Sequence, residues 1–189
     1  MESADVYQFI KEAISLGENV EASLLRERMI FLDGEINDQV ADSFVAKLIF
    51  LEADNPNKDI QIYINSAGGS VFSALAIYDT IQQVTPDVST ICCGKAGGMA
   101  AFLLASGCKG KRSSYQNGEI FLTPFTTSKQ SLDVIESEEI RYLKDAIYQV
   151  LSEVTGQSID QIKKDTSSNF FMTPTESVSY GLIDTLIQR

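Results

Sequence analysis

Short apolar runs closed by glycine, each followed by a stretch of helical spacing, recur along most of this chain, and that alternation constrains the fold more than any other feature. Residues 29–32, 60–64, 88–93, 112–114, 119–122 and 182–187 read as strands, and residues 38–53, 71–84 and 99–105 read as helices. Within residues 38–53, Val40, Phe44, Leu48 and Leu51 fall at helical intervals, and Asn55-Pro56 ends the run. Leu132, Ile135, Ile140, Leu143, Ile147, Leu151 and Val154 carry the same spacing through one long helix closed by Gly156. Shorter helices are predicted over residues 5–16, 22–28 and 158–165, and from Thr173-Pro174 to Gly181. Asp33-Gly34 and residues 66–69 read as turns, and residues 94–98 as a flexible junction. Strand and helix in turn predict an α/β domain with a mainly parallel sheet. The long helix and the segment before it interrupt the alternation and are expected to project from the main body. At 189 residues, the chain reads as a single domain with a sizeable core, residues 1–189.

Composition removes whole classes of function. The net charge of −11 argues against binding nucleic acid or anionic membranes, because phosphate contacts need clustered Lys and Arg. The basic run at residues 109–112 is too short to reverse that and reads as a solvated loop. No apolar run approaches the length of a membrane span, and residues 1–19 carry no secretory cleavage pattern. The three cysteines, Cys92, Cys93 and Cys108, do not form a disulfide framework, and Cys92 and Cys93 are expected to be small buried hydrophobes in a strand. No spacing suggests a metal site, and no cofactor is expected.

Histidine is absent. These residues therefore contain no Ser-His-Asp triad, no Cys-His dyad and no imidazole-ligated metal. What remains is backbone. Residues 66–69 and 94–99 are glycine-rich junctions after strands, where helix N-termini present free N–H groups able to cradle an oxyanion. Neither junction has a phosphate-loop or dinucleotide pattern. Lys95 paired with Ser66 or Ser70 is a conceivable Ser-Lys dyad, against the plainer reading of a polar loop lysine.

Several motifs, in order and in register, make the resemblance specific. They include Leu24 to Leu32, the run from Phe50 through Asn55-Pro56, Tyr63-Ile64-Asn65-Ser66, Ile77-Tyr78-Asp79-Thr80, Pro86-Asp87-Val88-Ser89-Thr90 and Tyr180-Gly181-Leu182-Ile183-Asp184. Together they resemble the proteolytic subunit of Clp protease. The resemblance implies a ClpP/crotonase-like α/β fold, with a head of mainly parallel sheet and a projecting strand–helix handle at about residues 123–156. It also implies heptameric rings stacked in pairs around a degradation chamber, fed by a AAA+ ATPase docked outside. Residues 1–23 match the family poorly.

Carried over residue by residue, the resemblance puts Gly98 at the family's nucleophile, Leu122 at its base and Asn169 at its acid. Glycine has no nucleophile, leucine accepts no proton, and a neutral amide stabilises no imidazolium. The family's oxyanion amides fall on Gly69 and Met99, and such a hole alone leaves a residual acceleration on the order of 10³–10⁴ over water. The glycine-rich peptide-binding stretch of the family is replaced from Phe125 to Gln130 by a run without glycine. Its ring-to-ring Asp-Arg pair falls on Ser167 and Ser168. At the ATPase docking pocket Tyr63 is retained, while two aromatic positions are Gln61 and Gln83.

This pattern is similar to that of the non-catalytic ClpR-type subunits of cyanobacteria and plastids. The expectation is a pseudoenzyme, not an enzyme. It would assemble with itself or with active ClpP-type subunits, bind the ATPase weakly, and tune assembly, chamber or docking. Ring contacts are expected from residues 38–53 and the long helix. The compartment implied is plastid stroma or bacterial cytoplasm. The alternatives are a residual serine hydrolase or crotonase-like acyl enzyme using the Gly69 and Met99 amides, and a module that holds unfolded segments without cutting them.

Overall fold

A computed structural model describes residues 20–125 and 138–188. The helix expected over residues 5–16 and the positions 126–137 lie outside them. The described chain runs α1 (Val20–Arg26), β1 (Met29–Ile36), α2 (Asp38–Asp54), β2 (Ile60–Gly69), α3 (Val71–Gln83), β3 (Val88–Gly97), α4 (Met99–Ala105), β4 (Arg112–Tyr115) and β5 (Glu119–Leu122). It continues through α5 (Glu138–Thr155), α6 (Ile159–Asp165), β6 (Phe170–Met172), α7 (Pro174–Tyr180) and β7 (Thr185–Ile187).

Four parallel pairings build the main sheet in the order β1-β2-β3-β4-β7. β5 pairs in parallel with the far end of β3, and β6 runs antiparallel to β5. Along β2 alternate residues are buried: Ile60, Ile62 and Ile64 face the core while Gln61 and Tyr63 face outward. Every residue of α4 is buried, as a short helix of Met, Ala, Phe and Leu must be when it lies between sheet and outer helices. Phe44, Leu48 and Leu51 of α2 and Ile77 and Ile81 of α3 complete this core. Each fully buried side chain of this size stabilises the fold by roughly 1.5–3 kcal/mol.

Local chemistry sets the ends. Asn37 accepts from the Val40 amide and Ser158 from the Gln161 amide as N-caps, and Thr173 with Glu176 forms a full capping box ahead of Pro174. Gly156 and Gly181 close α5 and α7 as expected. α1 stops at Arg26, short of the expected residue 28. Arg28 adopts a left-handed conformation, and its buried guanidinium donates to Leu51 O (2.8 Å) and Asp59 O (3.0 Å).

Three expectations are corrected. Asp33-Gly34 is a bulge within β1, not a turn, since the register with β2 shifts there and resumes at Glu35 and Ile36. Residues 66–69 and 94–97 are strand, extending β2 and β3 past the expected ends. The last strand begins at Thr185 rather than at residue 182. Leu182 and Ile183 are buried, but their amides donate to Ser177 O and close α7 instead of joining a ladder. β6 gave no sequence signal at three residues.

Arg112 ties the periphery together. Its guanidinium forms a two-pronged pair with Asp184 (2.6 and 2.9 Å) and donates to Ala105 O and Val154 O, both at 3.2 Å. Burial works against ionisation of Asp184, but the bonds from Arg112 and from the Gly110 amide outweigh it and hold the carboxyl below its usual range.

Candidate functional site

A cleft of about 620 Å³ opens where the ends of β1, β2 and β3 meet the start of α4. Gly34 to Asn37, Ala67 to Ser70, Lys95, Gly98, Met99 and Thr123 to Phe125 line it. This is the carboxyl end of the parallel strands, the place where α/β sheets bind ligands.

The two glycine junctions meet here. A Cβ on Gly69 would collide with the Ile36 backbone, whose nitrogen would lie 2.7 Å away. A Cβ on Gly68 would stand 2.7 Å from Gly97 O and 3.1 Å from Met99 N. Gly98 precedes α4 with φ 51° and ψ −118°, a conformation that L side chains rarely adopt. It offers no side-chain cap, so the Met99 amide opens the helix at the cleft wall without an intrahelical partner. Gly69 and Met99, the expected oxyanion positions, thus lie in one cleft.

The positions expected to have held a triad are brought onto adjoining segments. The Gly98 amide donates to Phe121 O (3.0 Å), and Leu122 pairs with Phe170, the residue after Asn169. Their side chains diverge nonetheless. Leu122 is fully buried in the core, and Asn169 is exposed in the connection from α6 to β6. Thr123, which the sequence did not single out, lines the cleft beside Gly98.

The Ser-Lys dyad is not assembled. Ser66 is fully buried, with its hydroxyl donating to Gly34 O and accepting from the Gly68 amide (3.1 Å). Ser70 accepts from the Ser73 amide as the N-cap of α3, and Lys95 is exposed. The cysteines differ from expectation too. Cys92 is fully buried, whereas Cys93 is only half-buried and donates to Ile64 O (3.3 Å). Burial pushes both thiols up, away from the reactive thiolate.

On the outer face of the sheet, Tyr63 stacks on Phe31 with ring centroids 5.1 Å apart, and its hydroxyl donates to Gln61 Oε1 (3.2 Å). Burial first, then the nearby Tyr115 and Cys93, raise the Tyr63 phenol above its usual range. Phe31 and Tyr115, 48% and 42% exposed, extend this surface. They escaped the sequence reading because only strand pairing places them beside Tyr63. Gln83 is exposed at the end of α3. Ser167 and Ser168 are exposed, and Ser167 Oγ donates to Lys164 O (2.7 Å). Of the replaced peptide-binding stretch, Phe125 is buried against Tyr148 and residues 126–130 lie outside the described ones.

Comparison with known proteins gives two findings. The sequence family described as Clp protease matches residues 14–189, reaching upstream of the first motif at Leu24. ATP-dependent Clp protease proteolytic subunit 1 of Synechococcus sp. (strain CC9902) is 49% identical over 174 residues, which cover 90% of this chain and 88% of that protein.

Proposed function

The chain belongs to the Clp protease family, and from that premise we propose that it is a ring-forming subunit with no peptidase activity of its own, of the ClpR type. The observation that carries this reading is the absence of histidine from all 189 residues. Acyl transfer in this family's manner needs a base to take the nucleophile's proton and return it to the leaving amine. Here Gly98 stands at the expected nucleophile, and Leu122, at the expected base, lies in the core. Asn169 at the expected acid position is neutral. The cleft, with Gly69 and Met99 on its wall, is consistent with retained scaffold and lost chemistry.

Assembly is part of the proposal. The chain forms a heptameric ring, alone or mixed with active ClpP-type subunits. Outward-facing Ile49 and Phe50 on α2 support a subunit contact there, since apolar side chains grouped on a helix face favour burial. Serines at 167 and 168 supply no ion pair between rings, so stacking relies on other contacts. The Phe31–Tyr63 stack retains apolar area for an ATPase loop, while Gln61 and Gln83 add polar groups that weaken the docking. No helix among the described residues is long and apolar enough to cross a membrane. The compartment that fits is plastid stroma or bacterial cytoplasm.

The test has two arms. Purified chain is incubated with fluorogenic peptides and a serine-directed phosphonate; no turnover and no label are expected, and either would refute the loss of chemistry. Native mass measurement, alone and after co-expression with an active paralogue, should show rings in at least one condition. A monomer in both would refute assembly.

A further inference from the structure

Two successive glycines at the end of β3 are each covered by a side chain from the neighbouring segment. The Phe121 ring lies against Gly97, and a Cβ there would run into it. One residue on, a Cβ on Gly98 would stand 2.7 Å from Thr123 Oγ1. A Cβ does not sit this close to an oxygen it is not bonded to, so this is overlap rather than contact. The bond from the Gly98 amide to Phe121 O fixes the two segments at this separation. Leu122, between the two covering residues, anchors the segment in the core. The Thr123 hydroxyl makes no hydrogen bond among the described residues, and it lies over Gly98.

We propose that Thr123 fills the space a side chain at position 98 would need, so that the reaction centre is closed by occupied volume as well as by missing groups. This rests on the reading of Gly98 as the former nucleophile position. A side chain at 98 meets two separate costs. One is intrinsic to the left-handed backbone, of order 1–2 kcal/mol for an L residue. The other comes from Thr123. Because threonine is β-branched, two of its three χ1 settings keep a heavy atom on the same side, and turning to the third has its own rotamer cost. The nearest other atoms a Cβ at 98 would meet are 3.8 Å or more away, so Thr123 Oγ1 is the one obstacle there. It follows that a serine returned to position 98 meets Thr123, the residue of this segment that faces the cleft, whereas a side chain at 122 points into the core and cannot serve it.

The test is a double-mutant cycle on the whole chain, read as the unfolding equilibrium constant at fixed protein concentration. Gly98→Ala is expected to weaken the folded state by about 30-fold or more, combining the backbone cost with the clash. With Thr123→Ala, which removes Oγ1 and leaves a Cβ at an ordinary distance, the same substitution should cost at least three-fold less. Thr123→Val keeps the branch and should give no relief. The proposal is overturned if the cost of Gly98→Ala changes by less than three-fold with Thr123→Ala, or if Thr123→Val relieves it equally. A Gly98→Ala chain that fails to fold with and without Thr123→Ala also overturns it; one that folds only with Thr123→Ala supports it. Peptide turnover by the unaltered chain would refute the function proposed above and leave this cycle untouched.

Discussion

The two glycine junctions of the cleft look alike in sequence and are held by different things. At the end of β2, a Cβ on Gly68 or Gly69 would strike backbone: the Gly97 carbonyl in one case, the Ile36 peptide in the other. At the end of β3, a Cβ on Gly97 or Gly98 would strike side chains, the Phe121 ring and the Thr123 hydroxyl. Backbone position is set by the sheet ladder and cannot retreat without disturbing the pairing of β2 with β1 at Gly69 or with β3 at Gly68. A side chain can be shortened by mutation. Glycine in the first junction is thus demanded by surrounding backbone, and in the second by neighbouring side chains, which are free to change, with a backbone cost added at Gly98 alone. A family scaffold can lose its chemistry at the second junction while the first stays as the architecture requires.

The largest effect expected is from Gly69→Ala, which should cost about 4 kcal/mol or more, or prevent folding, as read by denaturant midpoint. No truncation of a nearby side chain should rescue it; a rescue would erase the distinction between the junctions. Gly97→Ala should cost about 2 kcal/mol, as overpacking does, and Phe121→Leu should recover part of it. Full cost with the smaller side chain at 121 would place Gly97 with the first junction.

Acid unfolding offers a control insensitive to both junctions. Asp184 ionises below its usual range when folded, so its contribution is complete above the unfolded carboxylate pKa of about 3.9 and fades as pH falls through the lower folded value. Asp184→Asn should flatten stability against pH below about 4, while the glycine variants shift the whole curve in parallel. A changed acid slope in Gly69→Ala would show that the junction couples to the periphery. Smallest of all, Thr123→Val alone should lie within about 0.5 kcal/mol of the unaltered chain, since the hydroxyl it removes has no partner among the described residues.

Much of this was legible in the sequence. The alternation predicted the parallel sheet, Met99–Ala105 and Glu119–Leu122 fall where the pattern put them, and proline after Thr173 marked the start of α7. Misreadings cluster at glycine. Asp33-Gly34 is as good a bulge as a turn, and Ser66 to Gly69 as good a strand end as a loop, because glycine permits both and only the partner strand decides. The hydroxyl over Gly98 was illegible for the same reason. Positions 98 and 123 meet through the pairing of β3 with β5, which no local spacing records. Leu182 and Ile183 misled differently: they are buried as apolar residues should be, but burial does not require a ladder.

The Arg112 guanidinium reaches Ala105 at the end of α4, Val154 at the end of α5 and Asp184 just ahead of β7. One cation therefore serves as a common fastening for the central helix, the base of the long helix and the tail of the chain. Cutting the chain ahead of Asp184 would strand that cation among carbonyls with no anion to answer it. Loosening at the tail would then bear on the base of the long helix and on the far end of the helix that walls the cleft.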